Sequence, residues 1–326
     1  MKPIKIILLI LFISLPLMCQ ENTEHLAEKI KKVSENLLEG YTQPLITSFG
    51  TGISTGLFHS AHSHKTLGFD LGVRVMYIQV PEFAKYFDAE VLTCSLSNNK
   101  LDYDSLTLDS VSSIFGPKDR TNVPVTGNAV GIPPYIPGGF NLSGVPLAMP
   151  QLNVGIIMGS ELIIRYVPFT FKGSRVNFLG LGLKQHLNSL PFMKTVPLPV
   201  DIAIGGAIQD FGIEDSTGYQ IVNSHTWNLQ MIISKNLVAF EPMIGFGFEG
   251  TKVYFKYDFE YEIPDTLNPG TNIKVADEVD IELVAQNSYR AIAGFTFKLG
   301  IFYLHYDYNL VPHYKTHNGI IGLTFR

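Results

Sequence analysis

Charge is scarce in this chain: only 16% of its 326 residues are Asp, Glu, Lys or Arg, against roughly 25% in an ordinary soluble domain. Cysteine is scarcer still. With Cys19 and Cys94 alone, no disulfide framework and no paired-cysteine metal site is available. Past the first twenty residues no apolar run is long enough to cross a membrane as a helix. The net charge of -5 excludes the basic face that nucleic acid requires. Glycine loops that cradle phosphate and nucleotide fingerprints are also missing, so no cofactor is expected. What is abundant is aromatic side chains, 12% of the chain, and glycine, 29 residues. Little charge, many aromatics and apolar residues dispersed rather than clustered is the composition of a membrane β-barrel.

The stretch Lys252 to Ile263, KVYFKYDFEYEI, shows that dispersal most plainly. Val253, Phe255, Tyr257, Phe259, Tyr261 and Ile263 alternate with Lys252, Tyr254, Lys256, Asp258, Glu260 and Glu262, a period of two. Such alternation predicts a strand with an apolar face toward lipid and a charged face toward a wet lumen. At roughly 3.4 Å per residue and a tilt near 45°, a dozen residues reach about 25 to 30 Å, enough for the hydrocarbon of a bilayer.

Parity supplies a test, because a two-residue hairpin must flip the outward positions between odd and even. They are odd in Trp227 to Ile233, even in Val238 to Phe246, odd in Val253 to Ile263, odd in Tyr289 to Leu299 and even in Phe302 to Leu310. Turns are thus expected at Lys235-Asn236, Glu249-Gly250 and Gly300-Ile301, with Val279 to Leu299 a single strand. The whole reading is an all-β fold, a transmembrane antiparallel β-barrel of about twelve strands. They fall near 45–58, 67–79, 84–94, 152–171, 176–187, 198–211, 219–234, 237–248, 251–263, 279–299, 302–310 and 317–326. The insertion 95–151 holds seven prolines, Pro117 to Pro150, which keep most of it out of a central sheet. It reads as a long Pro-rich loop, external or folded inward as a plug. Within it Leu101 to Val111 could add a strand pair and make fourteen.

Ahead of the barrel, Met1 to Cys19 carries Lys2 and Lys5 before the apolar Ile6 to Ile13 and reads as a secretory signal peptide. Met18 is larger than the residue expected before a lipidated cysteine. From Thr23 to Glu39, Leu26, Ile30, Val33 and Leu37 have helical spacing, with Gly40 as a stop. Residues 20–43 are therefore expected to form a short N-terminal periplasmic helix that plugs the barrel or lies beneath it, and 44–326 the barrel.

Charges at inward positions are the candidate site. Arg74, Glu161, Arg165, Lys184, Lys252 and Lys256 stand out among them. They either pair with one another across a closed barrel or attract an acidic solute or carboxylate headgroup. His59, His62 and His64 in HSAHSH fall in what reads as the first external loop. Without a neighbouring carboxylate or thiol they are expected to be solvated rather than metal-binding. His186, Asn188 and Ser189 bear comparison with barrel phospholipases, but neighbours in sequence at a strand end seldom reach that geometry, and no catalytic set is expected.

PQLNVGIIMGSELIIRYVP at Pro150 to Pro168, SIFGP at Ser113 to Pro117 and GLGLKQHL at Gly180 to Leu187 resemble an uncharacterised family of bacterial outer-membrane barrels carrying a domain of unknown function. More distantly, an N-terminal segment ahead of a barrel is similar in architecture to the long-chain fatty-acid transporter family. The terminal GIIGLTFR is similar to the last-strand signal read by the barrel-assembly machinery, departing from it in the Arg326 that follows Phe325. These resemblances imply an outer-membrane location, partners in lipid and the assembly machinery, and passage or binding of a small hydrophobic or amphiphilic solute without chemistry. A non-transporting structural or partner-binding barrel is the alternative.

Overall fold

A computed structural model of the protein describes residues 23–97, 100–122, 135–171, 174–193, 198–264 and 272–325. The expected signal peptide, Met1 to Cys19, lies outside the described residues. One long helix, Thr23–Ile53, comes first. Strands follow as β1 (Phe69–Gln79), β2 (Tyr86–Ser97), β3 (Lys100–Ser112), β4 (Thr121–Asn122), β5 (Tyr135–Ile136), β6 (Gly144–Gly155), β7 (Ser160–Phe171) and β8 (Ser174–His186). The remainder are β9 (Asp201–Glu214), β10 (Gln220–Ser234), β11 (Phe240–Pro264), β12 (Asn272–Val284), β13 (Tyr289–Leu299), β14 (Phe302–Leu310) and β15 (Lys315–Phe325).

Eleven strands form one sheet in the order β10-β9-β8-β7-β6-β1-β15-β14-β13-β11-β12, and a further β10–β11 pairing closes it. Leaving out β12, which extends from β11, the ring has ten strands rather than the expected twelve or fourteen. Five differences from the expected strands underlie the count. Residues 45–58 are helix and irregular chain. Most of the stretch 84–94 lies in β2, which among the described residues pairs with β3 alone, so Leu101 to Val111 does supply a strand but outside the ring. The stretch 152–171 divides into the end of β6 and all of β7 around Ile156 to Gly159, while 279–299 divides into β12 and β13. Finally, β11 runs unbroken through Glu249-Gly250.

That continuity has a physical cause in Glu249. Its carboxylate takes a buried Arg290 guanidinium, Nε to Oε2 2.5 Å, and Asn287 at 2.5 Å, so it faces inward instead of capping a turn. Inward positions on β11 therefore stay odd: Val253 is buried and Lys252 exposed, the reverse of the sequence reading. Where Lys252 emerges, the outward apolar run Ile244, Phe246, Phe248 has ended. Lys252 pairs there with Glu282 at 2.5 Å. Side chains of Tyr257 to Ile263 lie outside the description.

On β12 the expected parity fails as well, with Ile281 and Leu283 buried and Val284 exposed, while on β10, β13 and β14 it holds. Trp227, Leu229, Met231, Tyr289, Phe297, Leu299, Phe302 and Leu304 are all exposed, and so are Leu71, Val73 and Val75 on β1 and Leu179, Leu181 and Leu183 on β8. The outer face of the closed ring thus carries an extended exposed apolar band. Gly300-Ile301 joins β13 to β14 as expected.

The chain divides into two compact units. One comprises 46–80, 144–254 and 282–326, which holds the ring. The other is built from residues up to 45 with 81–143 and 255–281. In this second unit Leu37 of the helix is buried with Ala89, Val91, Val111 and Ile136, and Phe87, Leu106 and Leu108 pack around them. Tyr41 Oη donates to the Gly138 carbonyl at 3.1 Å.

Candidate functional site: the occupied lumen

Helix does not stop at Gly40, nor at Pro44, but ends at Ile53. Its last turns and the irregular chain to His64 fill the ring. The Gln286 amide bonds Thr47 Oγ1 near one rim, and the Leu67 amide bonds the Gly155 carbonyl at the other. Ser48, Thr51, Ser54 and Thr55 are almost fully buried. Small side chains are what a helix confined on all sides can carry. Glycine appears where the wall comes closest: a Cβ at Gly50 would lie 2.5 Å from Thr251 Oγ1, and at Gly56, with φ +68°, 2.9 Å from the Asn318 amide. The positive φ at Gly56 turns the chain out of its helix.

The helix ends with unpaired carbonyls and a partial negative charge, and three buried arginines of the wall meet it. Arg165 donates from Nη1 to Ile53 O at 2.6 Å and from Nη2 to Thr55 O at 2.9 Å. From Arg290, Nη2 reaches Thr51 O at 3.0 Å and Nη1 the Thr55 hydroxyl at 2.8 Å. Arg74 Nε reaches Gly56 O at 3.3 Å. Amides of the wall complete the set: Gln209 donates to Ile53 O at 3.0 Å, Gln151 to Leu57 O at 2.9 Å, and Gln230 to Ser54 O at 3.2 Å. Buried carbonyls must be satisfied, and here side chains of the ring do it.

Farther along, Lys184 Nζ donates to the carbonyls of Ser60 and His62 at 3.2 and 3.0 Å and pairs with Glu161 at 3.1 Å. Glu161 also accepts from the His64 amide and faces His64 Nδ1, both at 3.2 Å. Ser60 donates to Glu241 at 2.5 Å, and Thr296 to the His59 carbonyl at 2.7 Å. Leu57, Phe58 and Ala61 supply the apolar contact, against Ile163, Ala203, Ala207 and Ile232.

Arg74, Glu161, Arg165 and Lys184 are thus brought together inside the ring, on the occupying chain rather than on an open channel. Lys252 and Lys256 are not. The first faces outward and the second pairs with Asp280 at 3.4 Å. HSAHSH is not an external loop: His59 is buried and stacks on Tyr303 with 4.6 Å between ring centroids. The parity of Tyr289 to Leu299 puts Arg290 on the inner face, but sequence reasoning misses Glu249, Gln151 and Gln209. Glu249 falls in an expected turn and Gln151 in the proline-rich insertion, while Gln209 carries no charge to draw notice.

His186 lies at the end of β8, where Nδ1 is 2.8 Å from Ser189 Oγ and Nε2 is 3.0 Å from Asp201 Oδ1. Asn188, the third residue of that comparison, binds backbone, donating to Val200 O at 2.9 Å.

A family described only as of unknown function, DUF6588, matches residues 1–325. The chain belongs to this family. No curated protein matches DUF6588's present member significantly by sequence. Among solved structures it is similar to the translocator domain of the autotransporter NalP from Neisseria meningitidis, at 8% identity and TM-score 0.27, covering 92% of this chain and 98% of that one. The outer membrane protease OmpT from Escherichia coli is similar at 8% identity and TM-score 0.30, over 79% and 96%. The TodX monoaromatic hydrocarbon channel is similar at 7% identity and TM-score 0.25, over 81% and 91%.

Proposed function

We propose that this protein is a sealed barrel of the outer membrane, a non-catalytic structural or partner-binding element of the envelope whose lumen does not conduct at rest. The observation that carries it is the trio of buried arginines, Arg74, Arg165 and Arg290, donating to the end of the enclosed helix. Hydrogen bonds from charged groups contribute about 1.5–3 kcal/mol each, so the segment is held firmly. The exposed apolar band supports lipid as the surrounding partner, and the stacked pair Phe69 and Phe325, 5.0 Å between centroids, is compatible with a last strand handled by the barrel-assembly machinery. Reconstituted in planar bilayers, the wild-type protein is expected to give no steady conductance, and Arg165→Ala with Arg290→Ala to give openings. Wild-type conductance of an open pore would sink the reading.

A second reading, passage or binding of small hydrophobic or amphiphilic molecules, has its own support in the wall. Strands β6 and β7 pair only from Leu152↔Ile164 to Gly155↔Glu161. Residues 144–151 have no β7 partner there, and two of them are Pro146 and Pro150, which have no N–H to offer. This seam would admit an apolar molecule sideways from the membrane, whereas the axial lumen, walled by Arg, Gln and Asn, suits one poorly. A photoreactive fatty acid should then cross-link at Tyr166 and Ala148 in preference to Trp227. Even labelling around the ring would remove the support.

A further inference from the structure

Two clusters inside the ring bring histidine and carboxylate ligand atoms within 4.8 Å of one another: His62 with His186 and Asp201, and His64 with Asp70 and Glu161. The second already has its cation, since the Lys184 ammonium lies 3.1 Å from Glu161 and is buried with it. The first does not. Among the described residues no lysine or arginine pairs with Asp201, and the nearby Lys298 is taken by Glu241 at 2.5 Å.

We propose that His62, His186 and Asp201 form a binding site for a divalent transition-metal ion, zinc being the natural occupant for two imidazoles and a carboxylate. With metal–ligand bonds of about 2.0–2.2 Å, ligand atoms of one tetrahedral ion stand about 3.3–3.6 Å apart. His186 Nε2 and Asp201 Oδ1 are at 3.0 Å already, and the exposed His62, its ring centroid 5.4 Å from that of His186, can close in by a side-chain rotation. Solvent access at His62 leaves a fourth position for water and a path for entry.

Ser189 completes the argument. Without metal, His186 donates from Nε2–H to Asp201 and its Nδ1 accepts the Ser189 hydroxyl. With metal, Nε2 must present its lone pair, so the ring proton resides on Nδ1 and is donated to Ser189 Oγ. A hydroxyl serves either tautomer by rotating, whereas a carbonyl or an ammonium would serve only one. The change is a shift of the ring proton from one nitrogen to the other. Ser189 is in this view a positioning residue, holding the ring for the ion as outer partners of metal-bound histidines do.

The site joins the enclosed chain, through His62, to the rim of the ring, through the ends of β8 and β9. A bound ion would pin the segment where it leaves the lumen. That consequence rests on the sealed-barrel reading; the binding itself does not.

The test uses the full chain in detergent, stripped with a chelator and titrated with Zn²⁺ by calorimetry and with Co²⁺ by visible absorption. One saturating equivalent per chain is expected, with the intense d–d bands of a low-coordinate cobalt site. His62→Ala and Asp201→Asn should abolish it, Ser189→Ala should weaken it about tenfold, and His64→Ala should leave it unchanged. His62 is exposed, so its variant is expected to keep the heat-modifiable gel migration of the folded protein. Undiminished binding in folded His62→Ala, loss of binding in His64→Ala, or no saturable uptake by the wild type would each overturn the proposal. Absent conductance in the presence or absence of metal bears on the sealed barrel and leaves the binding result to stand or fall alone.

Discussion

Arg165 is a fully buried cation with no carboxylate partner among the described residues. Its counterparts are the carbonyls of Ile53 and Thr55 and the amide oxygens of Gln151 and Gln209. Arg290 differs in also pairing with buried Glu249. The two should respond differently to truncation. Arg290→Met strands an anion in the ring and should cost about 3–5 kcal/mol, while Arg165→Met leaves only neutral acceptors, one of which Gln209 still satisfies, at about 2–3 kcal/mol. Thermal unfolding in detergent measures both, and an inverted order would contradict the assignment. Sequence parity found both arginines on the inner face. Their acceptors were illegible, because a backbone carbonyl has no signature in the residue that bears it.

At the scale of elements, the helix from Thr23 to Ile53 shows why one boundary could be read and another could not. Residues 23–39 carry an apolar stripe at a spacing of three and four, the mark of a helix with one buried side. From Ile46 onward the chain is surrounded by the ring, so no side is distinguished and the stripe vanishes. Small residues then mimic a loop or strand. Gly205 on β9 belongs to the same fit: a Cβ there would stand 2.7 Å from Phe58 Cζ and 2.7 Å from the Leu183 carbonyl. Gly205→Val should overpack the enclosed segment, costing about 1–3 kcal/mol, and should speed protease cleavage between Ser54 and His64. Unchanged cleavage would mean that the contact bears no load. The prolines of β6 misled in the other direction, since a strand lacking one neighbour tolerates them.

Over the whole molecule, alternation along the strands recovered a closed antiparallel ring with its apolar side outward, because a strand that presents one face to the interior and one to the exterior carries a period of two. Strand number was less legible, since wall and extension share the period and only the course of β11 distinguishes them. The outward face can be tested by substitution. Leu229→Arg on β10 should cost about 2–4 kcal/mol if it lies near the middle of the bilayer, while Thr217→Arg in the β9–β10 connection should cost about 0–1. Folding titrations into lipid vesicles compare the two, and equal costs would argue against hydrocarbon contact at Leu229.

The ring closes by pairing its first strand with its last, Phe69 opposite Phe325, and what it encloses precedes both in the chain. Newly made protein therefore has no need to push a segment through a finished hole: it can lay the strands around a segment already in position and fasten the hoop last. Once fastened, the hoop can lose its contents only by slipping them out lengthwise or by parting a joint.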